Sequence, residues 1–225
     1  LQGKSGALFV LQYTEDVNLD SSYGIKTISY EDMITDFDCN IYAMMTVSEM
    51  KHDRLLKEYL SEMVTTVTDK DVELSSLCLR EGGRFMKSPY DVLCEVIKKQ
   101  KRSNGESFTV EISQDTVNKM VWKAQVKCIY PLIERFREHM IDIYKDEIVK
   151  HLPMPNCNGE DYKVPTDVEI GPLWYLAEHD MKSAVSDSDK ANMYTFKEAR
   201  NKLSHLDTLE IDVIKDIIKI VSKLR

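Results

Sequence analysis

Apolar positions along the chain change their spacing near Thr46. Upstream of it, LFVLQY (8–13), IKTISY (25–30) and NIYAMMTV (40–47) are short runs rich in β-branched and aromatic residues, separated by NLDSSYG and TDFD. This pattern predicts strands joined by turns. Residues 1–48 therefore read as a strand-containing segment, the tail of a larger α/β domain. Downstream, Leu55, Leu56, Tyr59, Leu60, Met63, Val64 and Val67 recur at helical spacing. Thr46-x-x-Glu49 reads as a capping box ahead of them. A short helix is expected from Asp71 to Leu79, ending before Gly82-Gly83. SPYDVLCEVIKKQKR (88–102) predicts another, with Ser88 as cap, Pro89 in the first turn and Asp91 at the positive end. Residues 49–112 thus read as a helical linker region. RSNGES (102–107) reads as a turn or mobile loop and as the candidate domain boundary.

The second half predicts helices throughout. Val117, Met120, Val121, Ala124, Ile129, Leu132, Ile133, Phe136, Met140, Tyr144 and Ile148 trace one long stripe, in which Pro131 is expected to kink or break the helix. LPMPNCNGEDYKVPTD (152–167) is a long connection, VEIGPLWYLAEHDM (168–181) a shorter helix, and SAVSDSDK (183–190) a polar loop. Two closing helices follow. The first covers roughly 193–204. The second has Asp207 as N-cap, Glu210 three residues on, a Leu206–Ile211 staple, and a buried face of Ile211, Ile214, Ile217, Ile218, Val221 and Leu224. Residues 113–225 read as a bundle of four or five helices. The fold class expected is mainly α, with a smaller α/β-to-helical region in front.

Composition narrows the function classes. No apolar run approaches the roughly 20 residues that span a bilayer. No charged leader precedes an apolar stretch, so nothing indicates secretion. The start at Leu1 reads as a fragment with further sequence upstream. The five cysteines are scattered, lack a Cys-x-x-Cys pair and have no His at zinc-ligand spacing, which reads as reduced core thiols of a cytosolic protein. A net charge of −8 argues against broad coating of nucleic acid. Residues 191–225 run the other way, with seven Lys or Arg against five Asp or Glu, a local balance that suits a confined phosphate site.

The candidate chemistry lies in FKEARNKLSH (196–205). Asn201 and His205, four residues apart, share a helix face, and the guanidinium of Arg200 can swing toward it. Phe196, Ala199 and Leu203 turn to the packed side. An imidazole that titrates near neutrality, a bidentate phosphate donor and an orienting amide are the parts needed to cleave RNA without metal. The 2′-hydroxyl is the internal nucleophile, so the protein supplies only proton transfer and charge stabilisation. An ordinary reading stands beside this one, because Arg and His suit a helix C-terminus for the dipole alone.

RNKLSH resembles the Arg-polar-x-x-x-His signature of the HEPN superfamily of small helical bundles, here with Asn as the polar residue. The resemblance covers roughly 113–225, and WKAQVKCIYPLIERFREHM (122–140) looks like an early bundle helix of related bacterial proteins. It implies a metal-independent endoribonuclease that needs no cofactor, in a phage-defence or toxin setting. It also implies a homodimer through the C-terminal bundle, with two motifs facing one RNA cleft. Carried over, His205 is the acid/base group, Arg200 the phosphate contact and Asn201 the orienting group. Lys197, Lys202 and Arg137 are candidate RNA contacts, and Glu169 is an acid within reach of the motif. The alternative is a noncatalytic HEPN-like dimerisation or RNA-binding module that regulates a larger NTPase-type or sensor protein.

Other features weaken on inspection. GKSG (3–6) has neither the leading glycine nor the preceding strand of a phosphate-binding loop. Lys98, Lys99, Lys101 and Arg102 complement their own helix end. Arg135 and Arg137 alternate with Glu134 and Glu138 as an ion-pair face. Asp36 with Asp38, and Asp187 with Asp189, lack the ligand count of a calcium loop. The histidines show no H-E-x-x-H spacing, so no metal site is expected.

Overall fold

The computed structural model describes residues 33–156 and 159–224, together with Lys26. The strand expectations at 8–13 and 25–30, and the GKSG segment, lie outside the described residues. The rest is mainly α. Among the described residues there are nine α-helices and no strand, only two isolated bridges, Lys101–Ser107 and Met154–Tyr162.

The helices are α1 (Asp36–Val47), α2 (Arg54–Thr68), α3 (Val72–Glu81), α4 (Gly83–Lys87), α5 (Pro89–Lys99), α6 (Gln114–Val149), α7 (Ile170–Glu178), α8 (Asp187–Ser204) and α9 (Ile211–Val221). A 3-10 turn at Pro165–Asp167 leads into α7. Asp36–Arg225 forms one compact unit. Its axis is the 36-residue α6, against which α2, α5, α8 and α9 all pack.

NIYAMMTV, expected as a strand, is the body of α1. Cys39, Ala43 and Val47 recur every four residues and are buried, while Phe37, Ile41 and Met45 recur on the exposed side. A short apolar run does not itself decide between the two periods, and packing on α2 and α3 decided it here. Thr46 and Glu49 form no capping box. Thr46 donates to the Tyr42 carbonyl inside α1, and Asp53 caps α2 by accepting from the Leu55 amide at 2.8 Å. The expected helix after Asp71 is α3, with the Asp71 carboxylate accepting from the Leu74 amide at 3.0 Å.

RSNGES is a clamped turn. Arg102 ion-pairs with Asp71 at 2.5 Å and Glu73 at 3.1 Å, its guanidinium lies 4.6 Å from the Phe108 ring centre, and the Ser103 amide donates to Glu73 at 3.0 Å. Arg102 therefore serves the start of α3 rather than the end of α5. One continuous apolar core runs from Ala43 to Val221 through both sides of this turn. The helices of 54–99 are part of that core, not a linker beside it.

Pro131 does not break α6, which stays helical through it; the kink in this helix lies at Tyr144 (φ −105°, ψ 17°). Proline removes the amide that would bond the Lys127 carbonyl. Both Pro131 and Lys127 are exposed, so the orphaned carbonyl faces water. Tyr144 instead donates its hydroxyl to Asp189 at 2.5 Å, in the first turn of α8. α8 itself begins earlier than the polar sequence 183–190 suggests. Ser186 caps it, accepting from the Asp189 amide at 3.1 Å, so the expected loop supplies the first turn.

Candidate functional site

The candidate motif occupies the last turns of α8. Phe196, Ala199 and Leu203 are buried, and Phe196 stacks on Phe136 of α6 with ring centres 3.9 Å apart. Burial of these side chains, at about 1.5–3 kcal/mol for each large one, fixes the rotation of α8 about its axis. Asn201 is thereby left half-buried, and His205 is exposed.

The helix ends in a Schellman motif. The Leu206 amide donates to the Leu203 carbonyl at 3.4 Å and the Asp207 amide to the Lys202 carbonyl at 3.0 Å, with Leu206 in the left-handed region at φ +62°. His205 is the last residue before this reversal, at φ −100° and ψ 20°. Glycine is usual where Leu206 stands, since a Cβ there meets the following carbonyl oxygen.

Two side chains of α6 secure the reversal. The Trp122 indole N–H donates to the Leu203 carbonyl at 2.8 Å. Gln125, buried, grips Leu209 from both sides: its Nε2 donates to the Leu209 carbonyl at 2.9 Å, and its Oε1 accepts from the Leu209 amide at 2.7 Å. The same Nε2 donates to the Tyr59 hydroxyl of α2 at 3.1 Å. Burial pushes the Tyr59 phenol well above its ordinary pKa, so it stays neutral in this network.

The Asp207 cap and the Leu206–Ile211 staple expected for α9 are absent. Asp207 accepts from the adjacent Thr208 amide at 2.8 Å, Glu210 stands at the N-cap position of α9, and Leu206 points to solvent at 72% exposure. The Gln125 clamp holds residues 205–210 off the helical path, so α9 starts four residues after Asp207.

Arg200 and Glu169 meet. Arg200 Nη2 donates to Glu169 Oε2 in a tight ion pair, and Arg200 Nη1 lies 3.5 Å from Asn201 Oδ1. Glu169 occupies the N-cap position of α7 without capping it, which leaves its carboxylate to the arginine. Arg137 holds the turn in front of Glu169. Its Nη1 donates to the Thr166 and Val168 carbonyls at 3.0 and 3.2 Å, and its Nε pairs with Glu134 at 2.8 Å. The structure thus engages Arg137 with protein partners, as a support for Glu169.

The two lysines differ in setting. Lys202 is exposed. Lys197 lies over the Trp174 ring at 3.9 Å and the Tyr194 ring at 4.8 Å, with Glu198 at 3.1 Å. The fold therefore gathers Glu169, Arg200 and Asn201, places exposed His205 one turn beyond Asn201, and brings Lys197 to the aromatic side of α8.

The sequence pattern gives Trp122 and Gln125 no part in this reversal and assigns Leu206 to a staple instead. A signal for Gln125 existed, because a glutamine among Val121, Ala124 and Ile129 sits where a buried amide must find partners. Nothing local announced that Leu206 would turn left-handed.

Among the described residues, no three His, Cys, Asp or Glu side chains are grouped to hold a metal ion. The paired aspartates have other work: Asp36 pairs with Lys70, Asp187 with Lys190, and Asp189 accepts from Tyr144 and Ser186. Cys39, Cys78, Cys94 and Cys128 are free thiols. Among the described residues, no helix is long and apolar enough to cross a membrane. No protein-family model, no curated protein and no solved structure matches this chain.

Proposed function

We propose that the chain is a metal-independent endoribonuclease of the HEPN type. The observation that carries the reading is the end of α8, where an exposed His205 follows Arg200 and Asn201 on a helix stopped and clamped by Trp122 and Gln125. In the reaction the RNA 2′-hydroxyl gives up its proton to a base and attacks the adjacent phosphorus. The P–O5′ bond breaks, and the departing 5′-oxygen takes a proton from an acid. The products are a 2′,3′-cyclic phosphate and a 5′-hydroxyl. His205 carries the proton, Arg200 neutralises the charge that grows on the phosphoryl oxygens, and Asn201 orients the phosphate. One imidazole cannot begin as both base and acid, so two copies of the motif, paired through the C-terminal bundles of a homodimer, complete the site. Glu169 holds the guanidinium in place, and Lys202 lies on the exposed side for the neighbouring phosphate.

The test is cleavage of single-stranded RNA in EDTA by the chain and by its Arg200→Ala and His205→Ala variants. Loss of a positioned acid/base group costs about 10²–10⁴-fold, so His205→Ala is expected to fall by that factor and the product ends to be cyclic phosphates. Cleavage that survives both substitutions, or that requires a divalent metal, overturns the assignment.

A second reading has its own support in the Glu169–Arg200 ion pair, which uses the arginine within the protein. A noncatalytic dimerising module, relaying a signal from an upstream NTPase or sensor region, needs no more than that. A proven dimer without cleavage, destabilised by Glu169→Gln, favours it.

A further inference from the structure

We propose that the cavity between α7 and α8 is a binding site for a zwitterionic small molecule, an α-amino acid with an aromatic or large apolar side chain. It goes beyond the ribonuclease reading and does not depend on it. The cavity is a depression open to solvent, with a volume of about 540 Å³, lined by Trp174, Glu178, Lys182, Asp187, Lys190 and Tyr194. That lies within the range of small-ligand sites, roughly 300–1,000 Å³.

Its chemistry follows from which charges are already used. Lys190 is buried, and its ammonium donates to the Lys182 carbonyl at 2.8 Å and to the solvent-exposed Asp187 carboxylate at 3.3 Å, so the charges of that pair offset each other. Among the described residues no ion pair joins Glu178 to Lys182 or to any other group. One carboxylate and one ammonium thus remain at the cavity wall. They match an α-ammonium and an α-carboxylate in sign and number. Trp174 and Tyr194, with ring centres 5.6 Å apart and planes tilted by 54°, offer an angled aromatic wall for the side chain. Lys197, over both rings, ties them together without lining the cavity. The balance of charge decides against a nucleotide. A phosphate monoester carries about −1.5 to −2 at neutral pH, and a wall with equal numbers of both signs leaves that excess unmatched.

Isothermal calorimetry on the full chain tests this with L-phenylalanine as probe, beside 3-phenylpropionate (no ammonium), phenethylamine (no carboxylate) and AMP. L-phenylalanine is expected to saturate one site per chain, with each one-charge analogue at least about tenfold weaker, the factor that about 1.4 kcal/mol represents. Glu178→Gln and Lys182→Met, both on the surface, are each expected to weaken L-phenylalanine by a similar factor, and Tyr194→Ala to weaken all aromatic probes. Circular dichroism verifies that each variant is folded. The proposal is overturned by no saturable heat from L-phenylalanine, by AMP binding more tightly than L-phenylalanine, or by analogues that bind as well as the amino acid. Because RNA cleavage is not the readout, failure here leaves the ribonuclease test standing, and the reverse.

Discussion

Gln125→Leu isolates the clamp beneath the candidate site. The substitution keeps the approximate volume of a buried side chain while removing both halves of the grip on Leu209 and the donation to Tyr59. The Leu209 amide and carbonyl are then left without partners beside a residue only 6% exposed. Each buried group so orphaned costs about 1–3 kcal/mol. Leucine returns part of this through its greater apolar surface, about 1–2 kcal/mol. At the middle of each range, about 4 kcal/mol is lost and about 1.5 kcal/mol returned, so the expected net loss is about 2.5 kcal/mol. Tyr59→Phe is the measure of the third bond alone, because Gln125 still binds Leu209, and it is expected to cost about 0.5–1.5 kcal/mol. Urea unfolding followed by far-ultraviolet circular dichroism gives both numbers. Hydrogen exchange at the Leu209 amide adds the local view, since loss of the clamp should speed exchange there beyond what global destabilisation accounts for. A Gln125→Leu variant within about 1 kcal/mol of the parent, with unchanged exchange at Leu209, refutes the reasoning: residues 205–210 would then be held by something other than this side chain.

Two further outcomes follow from local geometry. Leu206→Gly removes a left-handed leucine, relieving about 1–2 kcal/mol against about 0.5–1 kcal/mol of added chain entropy, and the exposed side chain gives up little packing. The midpoint of thermal unfolding is expected to rise by about 1–4 °C, and a fall contradicts the strain argument. Burial pushes the Cys78 and Cys128 thiols up to about 12, and only the thiolate is nucleophilic. In the native protein at pH 8 both are expected to resist iodoacetamide, with the rate growing about tenfold per pH unit until unfolding or the pKa is reached; mass spectrometry after a short pulse checks this against the urea-unfolded chain.

How much of this was legible in the sequence depended on which physics governed each residue. The stripes of α2, α3, α5 and α6 were readable because burial of one helix face imposes its period on the sequence. Asp71 and Glu169 were readable as residues at helix starts, and Glu169 as a partner for the motif. NIYAMMTV was misread because so short a run, with six apolar residues in eight, satisfies either period, and the choice was made by the neighbours of α1. Pro131 was misread because its cost depends on whether the orphaned carbonyl meets water. Asp207 looked like a cap, yet its position is fixed by Gln125, 82 residues earlier in the chain. Arg137 shows the same limit: its charge pattern suggested a solvated face, whereas two carbonyls of a distant turn claim its guanidinium.

The unbroken run of α6 through Pro131 gives that helix the role of a ruler. Gln125 and Trp122 fix where α8 stops, and Arg137 fixes the turn that presents Glu169, so both halves of the Arg200 environment are referenced to one rod. From Gln125 to Arg137 is 12 residues, about 18 Å at 1.5 Å per residue. Insertion of one residue between them would shift the two anchor points by only about 1.5 Å but rotate one against the other by about 100°. No residue of the candidate motif lies on α6, yet its registration is what brings Glu169 and Arg200 into contact.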